Sequence, residues 1–143
     1  ATTGHLFCRL GKEAGGKAVE LLSIGGTGGA SGRLVFRGGE GGSQAVSGRT
    51  EIEARTWNHV VMVRDGSTVN VYLNGRAVPD IATRITAAPA TGEEIMIGAS
   101  PGDHDSFEGR IDEVVLYDRV LSVDELRQHW REPVRPPESE GSR

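Results

Sequence analysis

The most regular hydrophobic pattern in this chain lies within residues 56–73, where two β-rich runs follow one another. In the second run Val69, Val71 and Leu73 alternate with residues that point the other way, the period of two expected of a strand with one buried face. The first run, residues 60–63, is apolar at every position. An unbroken apolar run is typical of a strand covered on both faces, so we expect residues 60–63 to form a central strand of a layered β protein.

Short turns separate the predicted strands. Asp65-Gly66 joins the two runs and Asn74-Gly75 follows the second, and both dipeptides tolerate the positive φ angles that tight hairpins require. Residues 5–10 and 18–24 have the composition of two further strands. With 21 glycines and almost no long helical pattern, the chain is predicted to be a β-sandwich built from tight turns.

One short helix is predicted near the C-terminus. Ser122 and, three positions later, Glu125 form the sequence pattern of a capping box, so the helix should begin at Val123. It should continue for about two turns. Leu126 and Trp130 should share one of its faces because they are four positions apart.

Size and charge narrow the choice of function. At 143 residues the chain is long enough for one domain with a single core. Its formal net charge is −4 and it has no basic stripe, so we expect neither nucleic acid nor an anionic membrane surface as a partner. No apolar run is long enough to span a bilayer, so membrane insertion is not expected. The single cysteine, Cys8, excludes an internal disulfide, and its place in a predicted strand indicates a small core residue.

Five segments together resemble a known family. They are Trp-x-His-Val at residues 57–60, Val-Tyr-Leu-Asn-Gly at 71–75, Ile-Met-Ile-Gly at 95–98, a longer β-rich run at 107–117 and Leu-Ser-Val-Asp-Glu-Leu at 121–126. In this order they closely resemble the laminin G-like domains of the concanavalin A-like lectin/glucanase jelly rolls. Residues 107–117 are similar to that family's closing strand, and residues 121–126 to the start of its short C-terminal helix.

The resemblance implies an all-β fold, an antiparallel two-sheet jelly-roll sandwich with one short C-terminal helix. Residues 1–131 would form the sandwich, and residues 132–143, rich in Pro, Glu and Ser, would form a linker or tail. Domains of this family usually open with a strand that lies beside the closing strand, and no matching segment precedes His5. We therefore expect an open sheet edge, covered by a strand from a partner chain, a symmetry mate or upstream sequence.

The same resemblance implies a function. It favours a module that is not an enzyme and that binds a glycan or an extracellular protein, outside the cell or at the cell surface. The alternative is a structural or assembly domain of a larger surface protein or multisubunit particle. Such a domain would dock through the open sheet edge, by addition of a strand from a partner chain.

A third hypothesis, a glycosidase, rests on Glu51 and Glu53. In one strand these carboxylates would lie on the same face, about 6 to 7 Å apart. Paired carboxylates perform glycoside hydrolysis, one as acid and one as nucleophile or base. Related glucanases place a further acid where this chain has Arg55, and a guanidinium does not give up its proton. We therefore expect a solvated strand face and no catalytic residue.

Three other residues are candidates for binding. Asp103 and Asp105 lie in a polar loop, where two carboxylates can converge on Ca²⁺. Some laminin G-like domains hold Ca²⁺ in rim loops, so the resemblance makes these two residues the candidate metal ligands, although the EF-hand spacing is absent and an acidic turn without metal is the alternative. Tyr72, on the polar side of its strand, is the candidate for stacking on a sugar. Both tryptophans are expected in packed positions, as is His59 at the start of its strand.

Overall fold

The computed structural model describes residues 4–11, 17–25, 30–39, 42–86, 94–102 and 106–132, and within them it contains eight strands and one helix. The strands of the first half are β1 (Gly4–Gly11), β2 (Lys17–Ile24), β3 (Arg33–Gly38) and β4 (Gln44–Glu51). Those of the second half are β5 (Val60–Asp65), β6 (Thr68–Leu73), β7 (Ile81–Arg84) and β8 (Glu94–Ile97), followed by helix α1 (Val123–Arg131).

The strands form two antiparallel sheets. The larger sheet has the order β4-β3-β2-β1-β8 and the smaller has the order β5-β6-β7. Every strand pair in both sheets is antiparallel. The predicted all-β architecture, an antiparallel two-sheet jelly-roll sandwich with one short C-terminal helix, is confirmed.

The hydrophobic core lies between the two sheets, because each sheet turns its alternate apolar residues inward. Phe36 on β3 and Val71 on β6 are fully buried and represent the two inner faces. In β6 the predicted alternation is confirmed, since every second residue is buried and the residues between are half-exposed. The core cluster comprises Leu22, Ile24, Leu34, Phe36, Val69, Val71, Leu73, Ile81 and Ile85.

The two predicted turns have the backbone angles that their sequences allow. Between β5 and β6, Gly66 has a φ of 55° at the first of two turn positions. After β6, Asn74 and Gly75 have φ values of 53° and 68°. Two successive positive φ angles are the mark of a type I′ turn, which explains the Asn-Gly sequence at this point.

A buried ion network links the two sheets at one end of the core. Glu20 on β2 is almost completely buried and accepts a hydrogen bond from Arg9 Nε at 3.0 Å. Its other carboxylate oxygen lies 2.9 Å from Arg9 Nη2 on the neighbouring strand β1. Arg64, from β5 of the opposite sheet, forms an ion pair with the same oxygen. Glu20 is therefore a buried polar contact between the two layers.

A second polar contact links the sheets at the β4 side. Asp80 is buried and its Oδ1 accepts a hydrogen bond from the backbone N–H of Thr50 on β4 at 3.0 Å. A Cβ atom at Gly48 would collide with the other carboxylate oxygen of Asp80. Glycine at position 48 is thus required by the close approach of Asp80 to the β4 backbone.

Helix α1 begins and is capped as the sequence predicts. Ser122 Oγ accepts the hydrogen bond from Glu125 N–H at 3.3 Å, and the Glu125 carboxylate accepts one from Ser122 N–H at 2.8 Å. Arg119 donates to both oxygens of the same carboxylate and, with the capping contacts, lowers the pKa of Glu125 to about 2. Leu126 is buried beneath the helix, so capping and apolar burial together hold this short element in place.

Two expectations about the second sheet are wrong. Within the described residues β5 is an edge strand, not a central one. Residues 107–117 form no strand, although they were expected to close the sandwich. A strand needs a paired neighbour, and the apolar pattern alone does not supply the pairing.

Replacing Glu20 with Gln should destabilise the fold by about 3 kcal/mol, because two guanidinium groups would lose the carboxylate that pairs with them in a buried site. Urea unfolding followed by circular dichroism measures this. The matched control is Glu53→Gln, an exposed position at which a change below about 0.5 kcal/mol is expected. Equal unfolding midpoints for the two variants would contradict a stabilising role for the network.

Candidate functional site

The structure separates the two candidate carboxylates. Glu51 is the last residue of β4, whereas Glu53 lies beyond it, where its backbone carbonyl accepts a hydrogen bond from Thr56 Oγ1 at 2.7 Å. The expectation that both project from one strand face is therefore wrong, because the strand ends before Glu53. Both residues nevertheless line one shallow depression of about 440 Å³, together with Ile24, Ser31, Gly32, Ile52 and Ala54.

This depression is a poor setting for acid–base chemistry. Glu51 and Glu53 are both exposed to solvent. A carboxyl group that donates a proton near neutral pH is usually held in an apolar, water-poor pocket. Arg55, with a φ of 65°, follows in the same loop, so the third acid of the related glucanases has no counterpart at this position.

The structure describes Tyr72 but neither of the two candidate calcium ligands. Tyr72 is half-buried on β6, opposite Val61 of β5 and on the face of the smaller sheet that points away from the core. Asp103 and Asp105 lie outside the described residues. In the part of the chain that the structure does describe, no group of three or more His, Cys, Asp or Glu side chains is placed to hold a metal ion. No helix in that part is long and apolar enough to cross a membrane.

The tryptophans are at the surface, which corrects the expectation that both are packed. Trp57 is 64% exposed and Trp130 is 45% exposed. Trp130 packs against Gly75 in the turn after β6, where a Cβ atom would come within 2.7 Å of its ring. Its ring also lies 6.0 Å from the ring of His59, which is half-buried rather than part of the core.

A second aromatic pair continues this surface along α1. Tyr117 stacks on His129 with ring centroids 5.6 Å apart, and its hydroxyl lies 3.4 Å from His129 Nε2. The guanidinium of Arg119 lies over the Tyr117 ring at 5.9 Å. We call the set His59, Tyr117, His129 and Trp130 the aromatic patch. It combines flat apolar ring faces with polar atoms at their edges.

Residues 110–120 form a second exposed surface, which we call the closing segment. All of its residues are exposed, and within the described part of the chain no backbone–backbone hydrogen bond involves residues 108–120. Glu113 has a φ of 53°, which is uncommon for a residue with a side chain. The exposed apolar residues of the segment are Ile111, Val114, Val115, Leu116, Tyr117 and Val120.

The closing segment lies beside the aromatic patch. Ile111 Cδ1 lies 3.4 Å from the position that a Cβ at Gly98 would take, directly after β8. Glu113 is near enough to His59, just before β5, to act on its charge. Tyr117 belongs to both surfaces. Several exposed apolar residues along one segment are less common on a monomeric protein than single exposed apolar residues.

Two ionisable groups are affected by burial. Burial lowers the pKa of His59, and the positive charge of a protonated His129 lowers it further, while Glu113 acts in the opposite direction. Burial raises the pKa of the Cys8 thiol, so Cys8 is a protonated core residue, as predicted. The sequence signal for these aromatic side chains is the order Trp-x-His just before β5. That order gives no information on exposure, so their position at the surface could not be predicted.

The comparison with family models agrees with the fold. The model of the family Laminin_G_3, described as part of the concanavalin A-like lectin/glucanases superfamily, matches residues 2–127. A search among curated proteins gave no significant match. Among solved structures, the chain is similar to residues 221–444 of an S-layer domain-containing protein from Clostridium thermocellum ATCC 27405, with 22% identity and a TM-score of 0.49. That match covers 80% of this chain and 56% of the other.

The stability of the fold should fall as the pH drops below about 6.5, because the folded protein holds His59 with a lowered pKa and so favours its neutral form. The stabilisation that neutral His59 provides is complete above the pKa of an unfolded histidine. It is lost as the pH falls through the lower pKa that His59 has in the folded protein. Thermal unfolding of the wild type and His59→Gln between pH 7.5 and about 5 isolates this effect. The two proteins differ only at position 59, so equal pH dependences would contradict this contribution of His59.

Proposed function

Because the chain belongs to the Laminin_G_3 family of concanavalin A-like proteins, we propose that it is a non-catalytic recognition module for a glycan or an extracellular protein. The observation that carries this proposal is the exposed aromatic surface of Trp57 and the aromatic patch. We place the module outside the cell or at the cell surface, in keeping with the family.

Among the exposed aromatic residues, Trp57 offers the most to a ligand. Its side chain is 64% exposed, and it lies two positions before His59 of the aromatic patch. A planar apolar face can cover a sugar ring or an apolar side chain, and the indole N–H can donate a hydrogen bond at its edge. Tyr72, on the outer face of β6, is the second residue that we propose for ligand binding.

The surroundings of the two candidate carboxylates support our proposal that the module is not an enzyme. Glu51 and Glu53 lie at the rim of an open, solvated depression, and Arg55 occupies the place of the proton donor in related glucanases. Retaining and inverting glycosidases both need an acid that is protonated at the start of the reaction. Both carboxylates are exposed to solvent, whereas the acid of such an enzyme is usually held in an apolar, water-poor pocket.

An assembly domain is the second candidate function, and the closing segment favours it. Its backbone N–H and C=O groups make no backbone hydrogen bonds to other described residues, and its apolar side chains are exposed. A backbone without such hydrogen bonds can pair with a strand from a neighbouring chain, as in strand addition at open sheet edges. A surface protein or multisubunit particle built from such domains would hold its parts together through this contact.

Substituting Trp57 with Ala should weaken ligand binding about tenfold or more, because truncating a central aromatic contact commonly costs over 1 kcal/mol. A glycan array probed with and without Ca²⁺ identifies the ligand, and titration of the glycan it selects measures the change. Trp57→Phe retains an aromatic face and should recover part of the affinity. Tyr72→Ala removes an aromatic side chain from the outer face of β6. Comparing its affinity with that of Trp57→Ala shows which of the two surfaces binds the ligand.

A glycan array without any signal, under both conditions, would contradict the glycan part of the proposal. It would leave an extracellular protein as the ligand. Equal affinities for the wild type and Trp57→Ala would instead move the binding surface away from Trp57.

Calcium binding should depend on Asp103 and Asp105, which we propose as the side-chain ligands because loop carboxylates two positions apart can share one Ca²⁺ ion. Calorimetric titration with Ca²⁺ is expected to show weaker binding to Asp103→Asn than to the wild type. Asp124→Asn, which changes an exposed carboxylate on α1, is the matched control and should bind as the wild type does. Unchanged binding in Asp103→Asn would place the metal elsewhere.

A further inference from the structure

We propose that the closing segment pairs with the same segment of a second copy of this chain, in an antiparallel arrangement centred on Val114. This inference rests on the assembly function proposed above and names the partner. It follows from the unpaired backbone of the segment, the exposure of its apolar side chains and the order of its charges.

The backbone is the first requirement for such pairing. Residues 108–120 make no backbone–backbone hydrogen bond within the described part of the chain, and all residues of the closing segment are exposed. Two such segments related by a two-fold axis can satisfy each other's N–H and C=O groups in one ladder. Glu113 leaves its φ of 53° when the ladder forms, because an antiparallel strand requires an extended backbone.

The symmetry restricts the register. With the two-fold axis perpendicular to the new sheet, a residue and its copy point to the same side, so directly opposite residues must be separated by an even number of positions. The ladder is therefore centred on a residue and not between two residues. Near the middle of the segment the four centres are Glu113, Val114, Val115 and Leu116.

Charge selects among these four registers. A ladder centred on Leu116 would place Glu113 opposite Arg119, but the Arg119 guanidinium already donates to both carboxylate oxygens of Glu125 in its own chain. A ladder centred on Glu113 places two glutamates opposite each other, and it also places Glu108 opposite Asp118 of the other copy. A ladder centred on Val115 places Asp112 opposite Asp118 twice. Like charges at directly opposite positions destabilise a sheet.

The register centred on Val114 places unlike charges opposite each other. It places Arg110 of each copy opposite Asp118 of the other, so two ion pairs form at the two ends of the ladder. Ile111 lies opposite Tyr117, and Val114 lies opposite its own copy. Arg110 forms no ion pair within the described residues of a single chain. The pairing also removes apolar side chains from water on both sides of the ladder.

The test uses two charge reversals that are each unfavourable alone and compatible together. Arg110→Asp places Asp opposite Asp118 in a homodimer, and Asp118→Arg places Arg opposite Arg110. An equimolar mixture of the two variants restores an Asp–Arg pair at both ends of the heterodimer. Sedimentation velocity over a range of concentrations gives the dimer dissociation constant of each protein and of the mixture.

The wild type is expected to dimerise reversibly. Each reversal should raise the dissociation constant about tenfold or more, because two attractive contacts become repulsive. The mixture should return to the wild-type value. Both positions are exposed, so circular dichroism should show unchanged folding in each variant.

Two results would overturn the self-pairing. One is a wild type that stays monomeric at the highest attainable concentration, and the other is a dimer that is indifferent to both reversals. Hydrogen exchange at residues 111–117 separates this failure from failure of the assembly function. Fast exchange in the purified chain, with slow exchange once a strand of different sequence is supplied, would exclude the second copy as the occupant and retain the assembly function.

Discussion

The fold depends on two sheets of unequal width covering each other's apolar faces. The larger sheet has five strands, and the smaller has three within the described residues. Phe36 and Leu34 on one side meet Val69, Val71 and Leu73 on the other, and this contact removes the central strands from water. Among the described residues β5 forms an edge of the smaller sheet, and the closing segment belongs to neither sheet and has its apolar side chains exposed.

Polar contacts at the flanks of the core complement this packing. Glu20 draws Arg9 from its own sheet and Arg64 from the opposite sheet to one buried point. Asp80 holds the start of β7 against the backbone of β4. Apolar packing is not directional, whereas a buried carboxylate must be hydrogen-bonded at defined positions. These contacts therefore constrain how the two sheets are aligned, and they require Gly48 where β4 passes Asp80.

The two exposed surfaces are parts of one region. Tyr117 belongs to the closing segment and, by stacking on His129, to the aromatic patch. His59 lies against Trp130 and is also within reach of the charge of Glu113. A strand that covered the closing segment would therefore change the surroundings of the aromatic patch. Recognition through the patch and assembly through the segment would be linked for this reason.

The sequence by itself determined the local features of this protein and, through its motifs, the family. The alternation in β6, the Asn74-Gly75 turn and the capping box of Ser122 and Glu125 depend on residues a few positions apart, so each could be predicted and each is confirmed. Only the tertiary structure decided that β5 lies at an edge, that Trp57 is exposed and that Glu20 meets Arg64. These outcomes depend on which distant segments become neighbours, and an apolar or charged residue has the same local pattern whether or not a partner covers it.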